Sequence, residues 1–473
     1  MKKTSEDIFE PEKPVVPPDW EVLPFEQAAD VVSDKGKRVK QGSYLLTGKI
    51  PVIDQGQDKI GGYTDDENMA FDDELPVILF GDHTRSLKYV DKRFAVGAEG
   101  VKILRPREQF VPKFFYYLLR SLQIPSRGYS RHFQFLRKFH LPLAPEEQQK
   151  RIVAEIEKQF SRLDEAIANL KRVMANLKRY KAALLKAAVE GKLTEQWRKA
   201  HPNVEPVSKL LERILAERRA KWNRAGNYRE PAVPDTTGLP LLPNNWKWAS
   251  LDQLLLNITD GDHQPPPQTD SGVPFLVIGN VRSGKLEFED TRFVSRQYAD
   301  AVNVFRKPTR GDILYTLVGS FGIALRVDAD REFCIQRHIG VLRSHKLSPT
   351  SYLVHVLNSL FVFSQATNVA TGTAQKTVPL AGLRRFSIPL APLAEQQQII
   401  AEVERRLSVI EELEAAVEAN LTRADRLRQS ILSQAFSGRL LGQDTRHIQD
   451  ILPTFSIAAE SQARYGKANR AGR

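Results

Sequence analysis

Apolar residues recur at alternating three- and four-residue steps in two long stretches of this chain. The first runs through Ile152, Ile156, Phe160, Leu163, Ile167, Leu170, Met174, Leu177, Leu184 and Ala188, the second through Ile399, Val403, Leu407, Ile410, Leu413, Val417, Leu421, Leu427, Ile431 and Ala435. That spacing lines one side of a helix, so long helices are predicted over 146–190 and 393–437. Neither contains a proline, each follows one (Pro145, Pro392), and each stops at a glycine (Gly191, Gly438), the ordinary start and stop signals. At 1.5 Å per residue each would be a rod of about 65 Å. A stripe that long must be covered.

The two stretches are copies. LPLAPEEQQKRIVAEIE (141–157) returns as IPLAPLAEQQQIIAEVE (388–404), 247 positions later, and EGKL (190–193) faces SGRL (437–440) at the same offset. The first helix carries ten Lys or Arg against seven Asp or Glu, the second five against eight. A net basic and a net acidic helix suit each other as partners in an antiparallel coiled coil, although each exposed pair adds only about 0.3–0.5 kcal/mol. The alternative is two amphipathic helices on separate cores.

Elsewhere short apolar runs alternate with turn residues, the pattern of strands. LPVILF (75–80), SLKYV (86–90), RFAV (93–96) and VKIL (101–104) are matched in order by GDILYTLV (311–318), GIALRV (322–327), EFCI (332–335) and GVLR (340–343). Helices are predicted at 113–122 and 351–360, each followed by a polar loop and a closing strand. PPDWEVLPFEQ (17–27) resembles PNNWKWASLDQ (243–253), pairing Trp20 with Trp246. The expected fold class is therefore α+β: two tandem mixed α/β domains separated by two long helices. The divisions are an arm rich in proline (1–19), a first globular domain (20–145), the first helix (146–190), a connector and proline-rich linker (191–243), a second domain (244–392), the second helix (393–437) and a polar tail (438–473).

The net charge of +12 and pI near 9.5 favour a polyanionic partner. One cysteine, Cys334, excludes a disulfide framework and a cysteine-based zinc site. No run of eighteen apolar residues occurs, so no membrane association and a cytoplasmic location are expected.

No catalytic constellation emerges. GNVRSGKL (279–286) mimics a phosphate-binding loop but places Leu286 where a hydroxyl should reach magnesium, and EFED rather than a helix follows. HExxH, GxSxG and Asn-Pro-Pro-aromatic motifs are absent, and Cys334 with His338 is too small a set for a metal. No cofactor is expected. What stands out are polar, basic and aromatic residues in corresponding loops. In the first domain they are His83, Thr84, Arg85 and Lys88, with Arg127, Tyr129, Ser130 and Arg131 in IPSRGYSRHFQF (124–135); in the second, Ser320 and Phe321, with Thr371, Thr373, Gln375 and Lys376 in ATGTAQKTV (370–378). Arg and Lys can pair with guanine edges, Gln with adenine, and hydroxyls with bases or phosphate, which makes these the candidate DNA-binding residues.

The doubled IPLAPLAEQ-type boundary with its glycine-terminated helix resembles the DNA-specificity subunits of type I restriction-modification systems. So do GKIPVIDQGQ and GDHTRSLKYVDKRFAVGAEG in the first half, and GDILYTLVGSFG, CIQRHIGVLR and ATGTAQKTVPLAGLRRFSIPLAP in the second. The resemblance spans about residues 20–440; the tail lacks a second copy of EPVSKLLERILAERR (205–219). It implies two target recognition domains, each reading half of a split, asymmetric site in double-stranded DNA. It also implies helices that space the domains and dock two adenine methyltransferase subunits, which use S-adenosylmethionine, and two restriction (translocase-nuclease) subunits in the full complex. The chain itself would be non-catalytic. A DNA-modifying enzyme with a degenerate site, and a helical scaffold without DNA, are the competing readings.

Overall fold

Pro145 and Pro392 stand where the two apolar stripes begin, and a helix follows each. The computed structural model describes residues 9–97, 100–126, 128, 131–221, 227–263, 266–345 and 347–442. In it α1 (Glu146–Val189) and α2 (Leu393–Phe436) are 44 residues each. The carbonyl of Pro145 accepts the amides of Gln148 and Gln149 at 2.8 and 3.0 Å, starting the first turn with a residue that has no donor to waste. Past the far ends Gly191 and Gly438 take φ of +68° and +73°, the left-handed stop that a Cβ would strain. Every residue of the two predicted stripes is buried or half-buried. The chain divides into two compact units, Met1–Leu170 with Ala419–Arg473, and Lys171–Glu418, so each helix gives part of its length to each unit.

Among the described residues the first unit contains nine strands: β1 (Glu21–Pro24), β2 (Ala29–Val32), β3 (Ile50–Ile53), β4 (Gly62–Thr64), β5 (Val77–Gly81), β6 (Leu87–Val90), β7 (Ala95–Val96), β8 (Val101–Pro106) and β9 (His140–Leu143). They form an antiparallel sheet in the order β2-β8-β5-β6, a second sheet β4-β3-β7 in which β3 and β7 are parallel, and the antiparallel pair β1-β9. The run 75–104 therefore does not stay in one sheet. The two residues of β7 leave to pair with Val52 and Ile53. The helix Pro112–Ser121 buries Phe114, Phe115, Leu118 and Leu119. These share a core with Trp20, Phe25, Phe80, Ile152, Ile156 and Phe160, and with Ile431, Leu432, Ala435 and Phe436 of α2. Each such large side chain taken from water contributes about 1.5–3 kcal/mol. Early α1 thus packs on late α2.

The proline-rich arm is docked from residue 9 onward. Phe9 meets Phe135 and Phe139 at 5.7 and 5.6 Å between ring centres, and Pro17 lies against Gly438, where a Cβ would meet its ring at 2.1 Å.

The second unit repeats the plan with β10 (Lys247–Ser250), β11 (Leu255–Asp260), β12 (Val273–Leu276), β13 (Arg292–Val294), β14 (Ile313–Thr316), β15 (Ala324–Arg326), β16 (Cys334–Ile335), β17 (Ile339–Ser344) and β18 (Ser387–Leu390). The orders β11-β17-β14-β15, β13-β12-β16 and β10-β18 reproduce those of the first unit strand for strand, including the one parallel pair. Where one helix is expected over 351–360 there are two, Thr350–Leu357 and Leu360–Val369. Ser359 breaks the run, its hydroxyl accepting the Val362 amide at 3.3 Å as an N-cap. Late α1 (Leu184, Leu185, Ala188, Val189) shares a core with early α2 (Ile399, Val403, Ile410). In each unit, then, the helices pair antiparallel.

Charge is distributed otherwise than expected. In the first unit a cross-helix ion pair joins Arg428 of the acidic helix to Asp164 of the basic one, and in the second Glu402 of α2 is engaged by Arg405 and Arg406 of its own helix. The apolar seam is shared by both helices in each unit.

Candidate nucleic-acid interface

In the first unit the loops after β3, β5 and β7 and the segment before β9 gather at one end of the two sheets. Gln55 is the hub: its carbonyl accepts the hydroxyls of Thr84 and Ser86 at 2.6 and 2.9 Å, and its side chain accepts the His83 amide at 3.2 Å. Glycine is required beside it. A Cβ on Gly100 (φ +89°) would meet the Gln55 amide at 2.7 Å and the His83 ring at 2.9 Å. Asp82 then reaches the segment 124–135, its carbonyl accepting the His132 amide at 2.8 Å and its carboxylate the Phe133 amide at 2.8 Å. Arg85, exposed and at φ +60°, donates from Nη1 to the Ile124 carbonyl at 2.8 Å.

The two segments singled out in the first half therefore meet. Arg131 is exposed beside His132, while Arg127, Tyr129 and Ser130 lie outside the described residues. Lys88 is placed differently from the others. It projects from β6 with only 8% of its side chain exposed, its Nζ 3.6 Å from Asp54 Oδ1, and burial draws its pKa below the usual lysine value despite that carboxylate. Its ammonium does not reach the surface.

In the second unit the corresponding loops also meet, here through backbone pairing. The Gly319 amide donates to the Lys376 carbonyl at 3.0 Å, the Val378 amide to Leu317 at 2.8 Å, and Thr371 and Thr377 exchange both backbone bonds at 2.8 and 2.9 Å. Ser320, Thr371, Thr373, Gln375 and Lys376 are all exposed on this hairpin and the loop beside it. Phe321 stacks on Phe363 at 5.5 Å, the rings 13° from parallel.

The sequence reading missed several neighbours. Phe363, 42% exposed, comes from the unpredicted helix. Arg337 and His338 enter because the Leu317 amide donates to the His338 carbonyl at 2.8 Å, and burial together with Arg337 lowers the His338 pKa. Asp262 joins through its bridge to Gln336, and the signal for the Arg337–His338 loop was its match to residues 97–100 of the first copy.

Both ends are hydrogen-bonded loop frames, held through Gln55 and Asp82 in the first unit and by backbone pairing in the second, and they carry unlike exposed side chains. Such a surface can offer donors and acceptors to base edges and cations to phosphates. Among the described residues no cluster of three or more His, Cys, Asp or Glu side chains could hold a metal ion, and no helix is long and apolar enough to cross a membrane.

Residues 263–423 match the family model described as the type I restriction modification DNA specificity domain. The specificity subunit of the type I restriction enzyme EcoBI from Escherichia coli is 26% identical over 323 residues, 67% of this chain and 62% of that protein. That of EcoKI from Escherichia coli strain K12 is 24% identical over 328 residues, 68% and 62% respectively. The chain thus spans about 62% of the length of these two relatives. A solved structure concerned with complex assembly and conformational transition of the type I R-M system shares the fold at a TM-score of 0.54 and 19% identity, over 91% of this chain and 100% of that one. Residues 263–423 thus match a type I restriction modification DNA specificity domain, and about two thirds of the chain is similar to the specificity subunits of type I restriction enzymes.

Proposed function

We propose that this chain is the sequence-reading, non-catalytic subunit of a type I restriction-modification complex. The α/β part of each unit reads one half of a split, asymmetric target in double-stranded DNA. The long helices space the two parts and dock two methyltransferase subunits, with two restriction subunits in the full assembly. In this reading the recognition domains are 20–145 and 244–392, and 146–190 and 393–437 are the spacer helices.

The observation that carries the reading is the repeated loop frame bearing different exposed side chains. Where the first unit offers Arg85 and Arg131, the second offers Ser320, Gln375 and Lys376. Two like frames with unlike chemistry suit two unlike half-sites on one duplex, and the net charge of +12 supplies the sequence-independent attraction to phosphates.

Methylome sequencing of a host with and without the gene, and with residues 246–392 exchanged for another recognition domain, tests it. One half of the methylated sequence is expected to change and the other to stay. A change in both halves would refute modular reading, and no gene-dependent methylation would refute the function.

A further inference from the structure

Much of the basic charge of late α1 enters no ion pair among the described residues. Residues 166–189 hold Lys171, Arg172, Lys178, Arg179, Lys181 and Lys186 and no Asp or Glu. Among the described residues Lys171, Lys178, Arg179 and Lys181 enter no ion pair, while Lys186 lies 3.9 Å from Glu190. Concentrated like charge on a folded helix is costly unless a counter-charge arrives.

Two of these lysines face a cleft of about 720 Å3 within the second unit. Lys178 and Lys181, three apart and so on one side of the helix, form one wall. The cleft is lined too by the carboxylates Asp328 and Glu411 and by the loop after β12, with Arg282, Gly284 at φ +83° and Lys285. This is the GNVRSGK segment whose phosphate-loop likeness the sequence raised and dismissed. Its arginine makes no ion pair among the described residues, and Lys285 is held only by Glu411 at 3.4 Å, both side chains half or more exposed. Two of the cleft's lining residues are close in sequence to the recognition end. Ile323, which lines it, follows the Ser320–Phe321 loop directly, and Leu360, also on its wall, lies one helical turn from Phe363.

We infer that this cleft, between the spacer helix and the second recognition domain, holds the sugar-phosphate backbone of duplex DNA through Lys178, Lys181 and Arg282. It grips the duplex beside the half-site without reading bases. The inference rests on the proposed function and adds to it a sequence-independent clamp supplied by the spacer helix itself. Cations from two separate elements suit a backbone that presents successive phosphates along its length. A peptide partner would need an acidic segment and would leave the DNA affinity of the chain untouched.

The test is a triple variant of the full chain, Lys178→Gln, Lys181→Gln and Arg282→Gln, compared with a charge-keeping variant, Lys178→Arg, Lys181→Arg and Arg282→Lys. Binding is measured on a duplex carrying the methylated sequence and on a scrambled duplex across a salt series. The glutamine variant is expected to lose affinity for both duplexes by the same factor. Its slope of log affinity against log salt should fall by about one per residue, about three in all, while the charge-keeping variant retains both slope and affinity. An unchanged slope in the glutamine variant overturns the clamp, as does a loss confined to the methylated sequence. So does unaltered DNA binding with lost methyltransferase association, which would assign the cleft to an acidic protein. A wild-type chain with no preference between the duplexes would refute sequence reading, while the slopes still decide the clamp.

Discussion

Trp246 donates its indole N–H to Glu395 Oε2 at 2.8 Å, and in the other copy Trp20 donates to Gln148 Oε1 at 2.9 Å. The two acceptors occupy the same place in the repeat, so one contact ties the first strand of each domain to the first turn of its helix. In the second copy the acceptor is a charge. Glu395 is fully buried and holds Thr194 Oγ1 at 2.7 Å and Arg198 at 2.9 Å as well, joining the connector to the same point. A buried carboxylate is tolerable only with such partners.

Removing it should be costly. Glu395→Ala leaves a guanidinium only 18% exposed and an indole N–H without their acceptor, and is expected to destabilise by about 3–5 kcal/mol. Glu395→Gln, which imitates the first copy, keeps an acceptor for Trp246 and should cost less than half as much. Denaturant unfolding measures both; equal losses would show that the charge is irrelevant.

His355 gives a pH dependence with a defined sign. Its side chain is 12% exposed, its Nε2 has no hydrogen-bond partner, and burial pushes its pKa down to about 4. Glu404, at 3.9 Å and half exposed, is too distant and too wet to offset that. Between pH 6.5 and 4 the unfolded chain takes up the proton and the folded one does not, so this residue costs nothing at neutral pH and about 3 kcal/mol near pH 4. His355→Phe should therefore lose less stability than wild type over that interval. Parallel stability curves for the two proteins would sink the assignment.

Arg85 and Lys376 are expected to behave differently from Lys88. Lys376→Ala should weaken DNA binding by about 1–3 kcal/mol if it pairs with a base, relaxing preference at one position. Arg85→Ala should do the same and also free the loop at 124, because Nη1 holds the Ile124 carbonyl. Lys88→Met should change stability and leave the recognised sequence unaltered, since its ammonium is turned toward Asp54. A shift of sequence preference in Lys88→Met, read by methylome sequencing, would return it to the interface.

The helices as spacer can be tested by shortening. Because Asp164 meets Arg428 and Tyr180 meets Arg406, residue numbers across the seam run in opposite directions. A deletion that preserves register must therefore take facing segments, 163–169 with 423–429. Seven residues shorten a helix by about 10 Å, close to three base pairs at about 3.4 Å. The half-sites should keep their sequences and move together, or binding should fail. Normal methylation at the original gap would leave the helices a docking role alone.

Much of this architecture could be read without coordinates because it rests on local rules. The stripe from Ile152 to Ala188 has helical period whatever it packs on, Pro145 and Gly191 punctuate it by backbone geometry alone, and the copy at 388–440 announces the duplication. The alternating runs from 75 to 104 are strands by their own periodicity. What the sequence could not settle were relations between distant residues. Backbone pairing, invisible in side-chain pattern, sent Ala95 and Val96 to the second sheet and joined Gly319 to Lys376. Register within β6 turned Lys88 inward, whereas the turn at Gly81 left Arg85 outside. Net charge suggested that α2 would neutralise α1, but the pairing of helices is decided by which side chains face across the seam. That geometry left Lys178 and Lys181 open to another partner.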